Sequence, residues 1–390
     1  ARGSPVWSKE WLTKAKDASL RASPSFCPKG SLTENPRRME LTQYSERKNF
    51  FLRSQPWCVD RLEIDDSQVV LSGWAVPCDG VWESLEFFVN DQAVEFSCKL
   101  DRSDLLQVFP FWEGSGQIGF RISIERKDIH GAGETVVVSR HCNSSSSKYG
   151  NYYFPMSRDL YENLPPARLR SQVHGSDDAS SFVLEGFSSY KKIDFLFKEH
   201  LGDGHQKVLP VLDWGCGCAR VCRYMLEENE GLHGVDVNGE AIDWCLANLS
   251  PRFEVSQHKP PLPYPDDYFQ AVYGVSILTH LSLEDQADWM AELLRVTRTN
   301  GIVILSYHGS SSLLRFNLSG EDFENLHEHG YVNLGKNHAF GKDSEVGAKY
   351  FDTVQLPSSF QRIVEGWPVD LSFHEGVFGN HQDVVVLTKK

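Results

Sequence analysis

Val211-Leu212-Asp213-Trp214-Gly215-Cys216-Gly217-Cys218-Ala219-Arg220 is the stretch whose reading decides the fold. An apolar strand ends on Asp213, a glycine turn follows, and the spacing predicts a helix over Ala219–Glu228. Gly215 and Gly217 let the backbone approach a ligand that a Cβ would block. The N–H groups of the expected helix start face the same place. One strand later, Gly234-Val235-Asp236 ends on a second carboxylate, 23 residues after Asp213. At that distance an acid reaches both hydroxyls of a ribose, so the pattern points to a nucleoside ligand.

Working outward, short apolar runs at Val208–Asp213, Leu232–Asp236, Phe253–Val255, Ala271–Val275 and Gly301–Ser306 alternate with helical stretches. The helices are expected at Ala219–Glu228, Glu240–Asn248 and Leu283–Val296, with Ser282 as N-cap of the last and Asp285 three residues on. Alternation of this kind gives a parallel, doubly wound α/β sheet. Two later runs, Val369–His374 and Asp383–Leu387, flank a Gly/Asn-containing loop and are expected to add an antiparallel pair at the edge, for seven strands in all.

The identity of the nucleoside follows from charge. A dinucleotide loop reads Gly-x-Gly-x-x-Gly, but Arg220 fills the third glycine position and Asp213 precedes the first by two. A pyrophosphate there meets a carboxylate. The ammonium of an S-adenosylmethionine tail is attracted by it, so S-adenosylmethionine is favoured over NAD.

Four motifs carry a resemblance in register: Asp213 to Arg220; Gly234-Val235-Asp236-Val237-Asn238; Pro261-Leu262-Pro263-Tyr264-Pro265-Asp266-Asp267-Tyr268-Phe269; and Ser276-Ile277-Leu278-Thr279-His280-Leu281. Arg295 to Gly301 follows as a turn into the fifth strand. Their order and spacing over about 160–390 resemble class I S-adenosylmethionine-dependent methyltransferases, of a small-molecule or glycan-associated type. The resemblance implies a Rossmann-like methyltransferase domain over 161–390. It also implies a cofactor set: Asp213, Gly215, Cys216 and Gly217 around the methionine portion, Asp236 on the ribose, Val237 on the adenine face, and Val275 or Ser276 at the end of the fourth strand. The acid many relatives use at the adenine amine is missing from Ser256-Gln257-His258-Lys259; by position His258 or Lys259 takes its place, or the backbone from Gln257 to Lys259 serves.

Methyl transfer from a sulfonium is an in-line displacement in which the protein mainly positions the acceptor. A hydroxyl acceptor also gains from a base, worth roughly 10²–10⁴-fold. Ligands of such sheets bind beyond the carboxyl ends of the strands. His308, just past strand five, is the first candidate base and His280, just past strand four, the second; His280 could equally cap the following helix. His381 and His174 lie on the same rim. Such a group of imidazoles could alternatively bind metal, but no metal is expected. Cys216, Cys218 and Cys222 have no closed-zinc spacing and read as small side chains in a tight turn. Arg168 and Arg170 could grip a carboxylate or be solvated.

The rest of the chain is less specific. Residues 1–55 read as a polar tail. Period-two runs around Val69–Val76, Leu85–Val89, Val94–Cys98, Phe120–Ile124 and Thr135–Ser139 predict a small all-β sandwich over 56–142. It resembles modules appended to glycan-processing enzymes, with Trp74 and Trp82 as core residues or sugar-stacking rings. Residues 143–160 are expected as a linker, and Gly309–Gln355 as an acceptor-facing cap.

The chain has 390 residues, 39 basic and 53 acidic, for a net charge of −14. That balance argues against nucleic-acid and membrane partners, and no apolar run approaches the ~18–20 residues of a membrane span. Nine cysteines, an odd number without a framework, and an N-terminus lacking the apolar core of a signal peptide suggest a reducing, cytoplasmic setting. The expectation is O-methylation of a small-molecule or sugar hydroxyl with a histidine base. The alternatives are a non-catalytic S-adenosylmethionine- or glycan-binding protein and a nicotinamide oxidoreductase. Composition says nothing of oligomeric state.

Overall fold

The computed structural model describes residues 56–77, 82, 85–109, 116–129, 135–142, 148–156, 161–202, 210–226, 229–313, 315–316, 318–336 and 351–390. The expected tail, 1–55, lies outside them.

The first part is all β. Strands β1 (Trp57–Ile64), β2 (Gln68–Ala75), β3 (Leu85–Val89), β4 (Gln92–Val94), β5 (Ser97–Leu100), β6 (Gly119–Glu125), β7 (Thr135–Cys142) and β8 (Tyr152–Pro155) form two four-stranded sheets, ordered β1-β2-β6-β5 and β4-β3-β7-β8. Every pairing within them is antiparallel. Alternate residues such as Val59, Leu71, Phe87, Phe120, Ile122, Val138 and Phe154 meet in one apolar core, as period-two patterning dictates. Trp82 joins it, so this ring is a core residue. Strand β8 falls inside the stretch 143–160 expected as a linker. Its period-two pair Tyr152 and Phe154 is buried, which makes it the edge strand of the second sheet. A short helix, α1 (Leu105–Val108), links β5 to β6.

Helices α2 (Ala167–His174) and α3 (Ala179–Leu201) follow. Asp178 caps α3 by accepting the Ser181 N–H at 2.6 Å, and Gly202 ends it at φ +83°. The sequence reading missed α3, although Phe182, Val183, Phe187, Tyr190, Ile193, Leu196 and Phe197 recur at helical spacing. Each of the larger apolar side chains it buries contributes about 1.5–3 kcal/mol. Leu184 enters the core of the β domain, whereas Phe187, Tyr190, Ile193 and Phe197 enter the core beneath the second sheet. The helix therefore joins the two domains.

That second sheet has seven strands: β9 (Val211–Trp214), β10 (Leu232–Asp236), β11 (Phe253–Val255), β12 (Phe269–Gly274), β13 (Thr297–Tyr307), β16 (Val369–Phe378) and β17 (Gln382–Lys389), ordered β11-β10-β9-β12-β13-β17-β16. The first five are parallel; β16 and β17 form the antiparallel pair at the edge. Helices α4 (Gly239–Asn248) and α5 (Leu283–Val296) match the expected spans within one residue, and Ser282 caps α5 by accepting the Asp285 N–H at 3.2 Å. The crossover direction reverses between β9 and β12, which opens the crevice where such sheets bind ligands. Helix α6 (Gly320–His329), strands β14 (Tyr331–Lys336) and β15 (Phe351–Gln355) and helix α7 (Pro357–Ile363) come between β13 and β16. Leu313, Leu318, Leu326, Val332 and Val354 give α6, β14 and β15 a small core of their own.

One expected element is corrected. Of the helix expected over Ala219–Glu228, the described residues 219–226 form turns and a short 3-10 helix, Cys222–Met225, instead of an α-helix. Ala219 sits at φ +59°, which no α-helix tolerates. Helix α3 also presses close: a Cβ on Gly186 would lie 2.3 Å from the Arg220 carbonyl oxygen. Helix propensity alone favours Gly186→Ala by up to ~1 kcal/mol. The contact reverses the sign. Gly186→Ala is expected to destabilise the protein by on the order of 1–3 kcal/mol, read as a lower denaturant midpoint at unchanged slope.

Candidate functional site

The glycine turn is built by left-handed residues: Gly215 at φ +77°, Gly217 at +53° and Ala219 at +59°. Its amides are spoken for by the end of β10. Gly215 and Cys216 N–H both donate to the Val235 carbonyl, at 2.8 and 3.0 Å. Gly217 N–H donates to Asp236 Oδ2 at 2.8 Å. The turn thus presents no helix N-terminus, and the charged groups at its two ends are the carboxylates of Asp213 and Asp236.

Asp213 is 3% exposed. Burial pushes its carboxyl up to about 7, against an opposing pull from the Cys222 thiol and the Tyr273 hydroxyl. Tyr273 is its register partner on β12, so its presence was in principle readable by aligning the strand ends. Asp213 Oδ2 is buried without a hydrogen-bond partner among the described residues. A buried orphan acceptor of this kind is costly unless a donor reaches it. An ammonium fits that need, and a phosphate does not. Asp236 is half-buried; burial raises its pKa, while the Asn238 amide (2.8 Å to Oδ1) and the Gly217 amide lower it. Each oxygen keeps a further lone pair with which to accept a ribose hydroxyl.

The other expected cofactor residues lie as follows. Val237 is half-buried just beyond β10, and His258 is exposed beyond β11, close enough for its charge to act on Asp236. Lys259 is paired with Asp285 at the start of α5. Cys216 is buried, with Sγ 3.0 Å from where a Gly234 Cβ would stand, so its thiol packs into the core under the turn. Val275 also packs against that core. Ser276, at φ +63°, is stitched into the sheet: its N–H donates to Ser306 Oγ at 2.6 Å, and its hydroxyl bonds Gln382 at 3.0 Å. Gly215 and Gly217 are covered from above, since a Cβ would meet Ile277 at 2.2 Å and Val173 of α2 at 2.7 Å respectively.

Arg168 and Arg170 hold α2 in place. The first pairs with Glu240 of α4; the second donates to the carbonyls of Pro165 (2.6 Å) and Asp177 (2.6 Å). His174 bonds Ser181 Oγ at 3.0 Å, tying α2 to α3. His381 donates to the Gly379 carbonyl at 3.0 Å, and burial keeps it neutral.

The two candidate bases are brought together. His280 Nδ1 lies 3.0 Å from the Phe351 carbonyl and His308 Nδ1 lies 3.2 Å from the Thr353 carbonyl. A carbonyl can only accept, so each Nδ1 carries the proton and each neutral ring has its lone pair on Nε2. Residues 351 and 353 are alternate positions of β15, whose carbonyls point the same way. Burial lowers both pKa values. His308 falls to about 3, helped by His280; the Phe351 carbonyl and Asp352, 4.0 Å from His280 Nδ1, pull His280 back up. Strand β15 carried no signal in the sequence as the part that orients both rings.

Residues 211–301 match a family model described as "Methyltransferase domain". Solved structures with a similar fold include a protein of Pyrococcus horikoshii OT3 (17% identity, TM-score 0.36, 52% of this chain and 90% of that one). Others are an amino pentose methyltransferase of Micromonospora echinaspora (11%, 0.37, 52% and 90%) and the magnesium protoporphyrin IX methyltransferase of Synechocystis PCC 6803 (14%, 0.37, 60% and 98%). At these values none of them bears on the acceptor. The seven-stranded domain is a class I methyltransferase domain. The protein is accordingly an S-adenosylmethionine-dependent enzyme, and the orphan carboxylate of Asp213 suits that donor.

Asp213 must be ionised to meet an ammonium, so affinity for S-adenosylhomocysteine is expected to fall as pH drops below about 7. Asp213→Asn should weaken binding at least about tenfold, from the ~2 kcal/mol or more of a broken buried charge pair, and flatten the pH dependence. Calorimetry from pH 6 to 8 checks both. Without ligand, the folded chain retains a proton at Asp213 that the unfolded chain, with an ordinary value of 3.8, has lost. Stability is therefore expected to decline as pH rises from about 4 towards about 7, and less so in Asp213→Asn.

Proposed function

We propose that the enzyme methylates a hydroxyl group of a small molecule or sugar, with a histidine of the His280–His308 pair as the base. The observation that carries this reading is the clamping of both imidazoles by β15 through Nδ1, which leaves Nε2 as the basic nitrogen of each. S-adenosylmethionine, when bound, supplies the electrophilic methyl group. Asp213 holds its ammonium and Asp236 its ribose, with Val237, His258 and the Val275–Ser276 backbone around the adenine. Ile277 and Val173, lying over the two glycines, keep water from the donor side.

Of the two bases, His280 is the better proton acceptor, which reverses the order expected from the sequence. Taking a proton at Nε2 makes an imidazolium that Asp352 stabilises, whereas His308 is held neutral by burial and by His280 itself. His308 then acts as a neutral hydrogen-bond partner for the acceptor.

Among the described residues no helix is long and apolar enough to cross a membrane. Cys58, Cys98, Cys216, Cys218, Cys222 and Cys245 are free thiols, which supports the proposal of a reducing, cytoplasmic setting.

Incubation with isotope-labelled donor and a metabolite extract, followed by mass spectrometry, is expected to reveal a product that has gained one methyl group on oxygen. His280→Ala should lower kcat by roughly 10²–10⁴-fold with S-adenosylhomocysteine binding unchanged. Wild-type turnover by His280→Ala and His308→Ala together would remove the histidine base from the reading.

A further inference from the structure

The edge strand β16 and the C-terminal turn of α3 meet at a second histidine pair, apart from His280 and His308. His374 Nε2 of β16 and His200 Nε2 of α3 are 3.1 Å apart, with their rings nearly perpendicular at 89°. Glu199 completes the group: one ligand atom from each of the three residues lies within 4.8 Å of the others. Two ligands bound tetrahedrally to zinc at ~2.0–2.1 Å stand about 3.3 Å from one another. The imidazoles are already at that spacing, and Glu199 needs a side-chain adjustment of little more than an ångström.

The surroundings fix the ring state that ligation requires at His374; His200 Nε2–H donates to it at 3.1 Å and loses that proton, or shifts it to Nδ1, when a metal takes its place. Tyr149 hydroxyl lies 2.7 Å from His374 Nδ1 and donates to Glu199 Oε2 at 3.3 Å. A hydroxyl whose proton goes to the carboxylate accepts from Nδ1–H, which leaves the His374 lone pair on Nε2, facing His200. Hydrogen bonding at the far nitrogen is the usual way a ligating histidine is oriented. Lys148 opposes binding. Its Nζ bonds both Glu199 oxygens, at 2.9 and 3.0 Å, but its side chain is half exposed and can swing into water. Ser372 hydroxyl, 3.4 Å from His374 Nε2, is the other polar neighbour.

We propose that His200, His374 and Glu199 bind a divalent transition-metal ion of the imidazole-preferring kind, zinc above all, with water in the fourth position, as a clip between the domain-joining helix α3 and the edge of the methyltransferase sheet. The donor set excludes magnesium and calcium, which require oxygen ligands. The clip adds a metal–ligand tie between α3 and β16 to the apolar packing and hydrogen bonds that already join them. It involves no residue assigned to the donor or the acceptor.

The test uses the full chain, stripped by a chelator and titrated with Zn²⁺ by calorimetry, and with Co²⁺ by visible absorption. One ion per chain is expected, with a Kd on the order of 10 µM or tighter and a raised unfolding temperature. His200→Gln and His374→Gln should each weaken binding by about 100-fold or more, Tyr149→Phe by about tenfold through the orientation of His374. Lys148→Ala should tighten it, because the competitor for Glu199 is gone. Circular dichroism and S-adenosylhomocysteine binding establish that each variant is folded. Zinc binding as tight as wild type in both histidine variants, or no binding below about 100 µM in the wild type, overturns the proposal.

Discussion

The left-handed turn from Gly215 to Ala219 is the constraint on which the donor side of the molecule depends. It stops β9 at Trp214, folds the chain back against β10, and gives its own amides to Val235 and Asp236. A turn stapled in this way cannot offer a helix dipole to a phosphate. What remains for a ligand is a buried carboxylate at one end and a hydrogen-bonded carboxylate at the other. That polarity suits a donor with a cationic amino-acid tail and a neutral ribose. The close approach of Val173 and Ile277 is possible only because positions 217 and 215 lack a Cβ.

The His280–His308 pair is set by a different device. Between β13 and β16 the chain builds a small subdomain from α6, β14 and β15, closed over its own leucine-rich core. Its strand β15 runs beside His280 and His308, and its carbonyls choose their tautomers. The remaining histidines on this face serve packing: His174 ties α2 to α3, and His381 holds the turn before β17. Equal residue types within one rim are thus separated into roles by which backbone carbonyl, hydroxyl or carboxylate each ring meets.

Helix α3 makes one body of the two domains. Its Leu184 is buried with the β-domain residues, its following turns with the seven-stranded sheet, and Asn380 adds a side-chain bond to the Trp57 carbonyl at 3.1 Å. Across this seam Trp57, Trp74 and Phe109 of the β domain meet Arg315, Asn380 and His381 of the methyltransferase domain. The β domain's second sheet ends on β8, where Tyr152 and Phe154 are buried.

By itself the sequence determined what local chemistry can encode: the parallel strands from apolar runs, the cap of α5 from Ser282, the β pattern of the first domain, and the two carboxylates at strand ends. Glycine spacing marked the turn, but the expected helix after it failed, because Ala219's left-handed backbone and the pressure of α3 against Arg220 are tertiary facts. The same holds at the site. Spacing along the chain found His280 and His308, yet only folding brought Phe351, Asp352 and Thr353 to them from more than 40 residues away, and so decided their protonation. Propensity and periodicity are read within a few turns of the chain; desolvation, tautomer and partner depend on what arrives from elsewhere in the sequence, and those are what the folded structure alone decided.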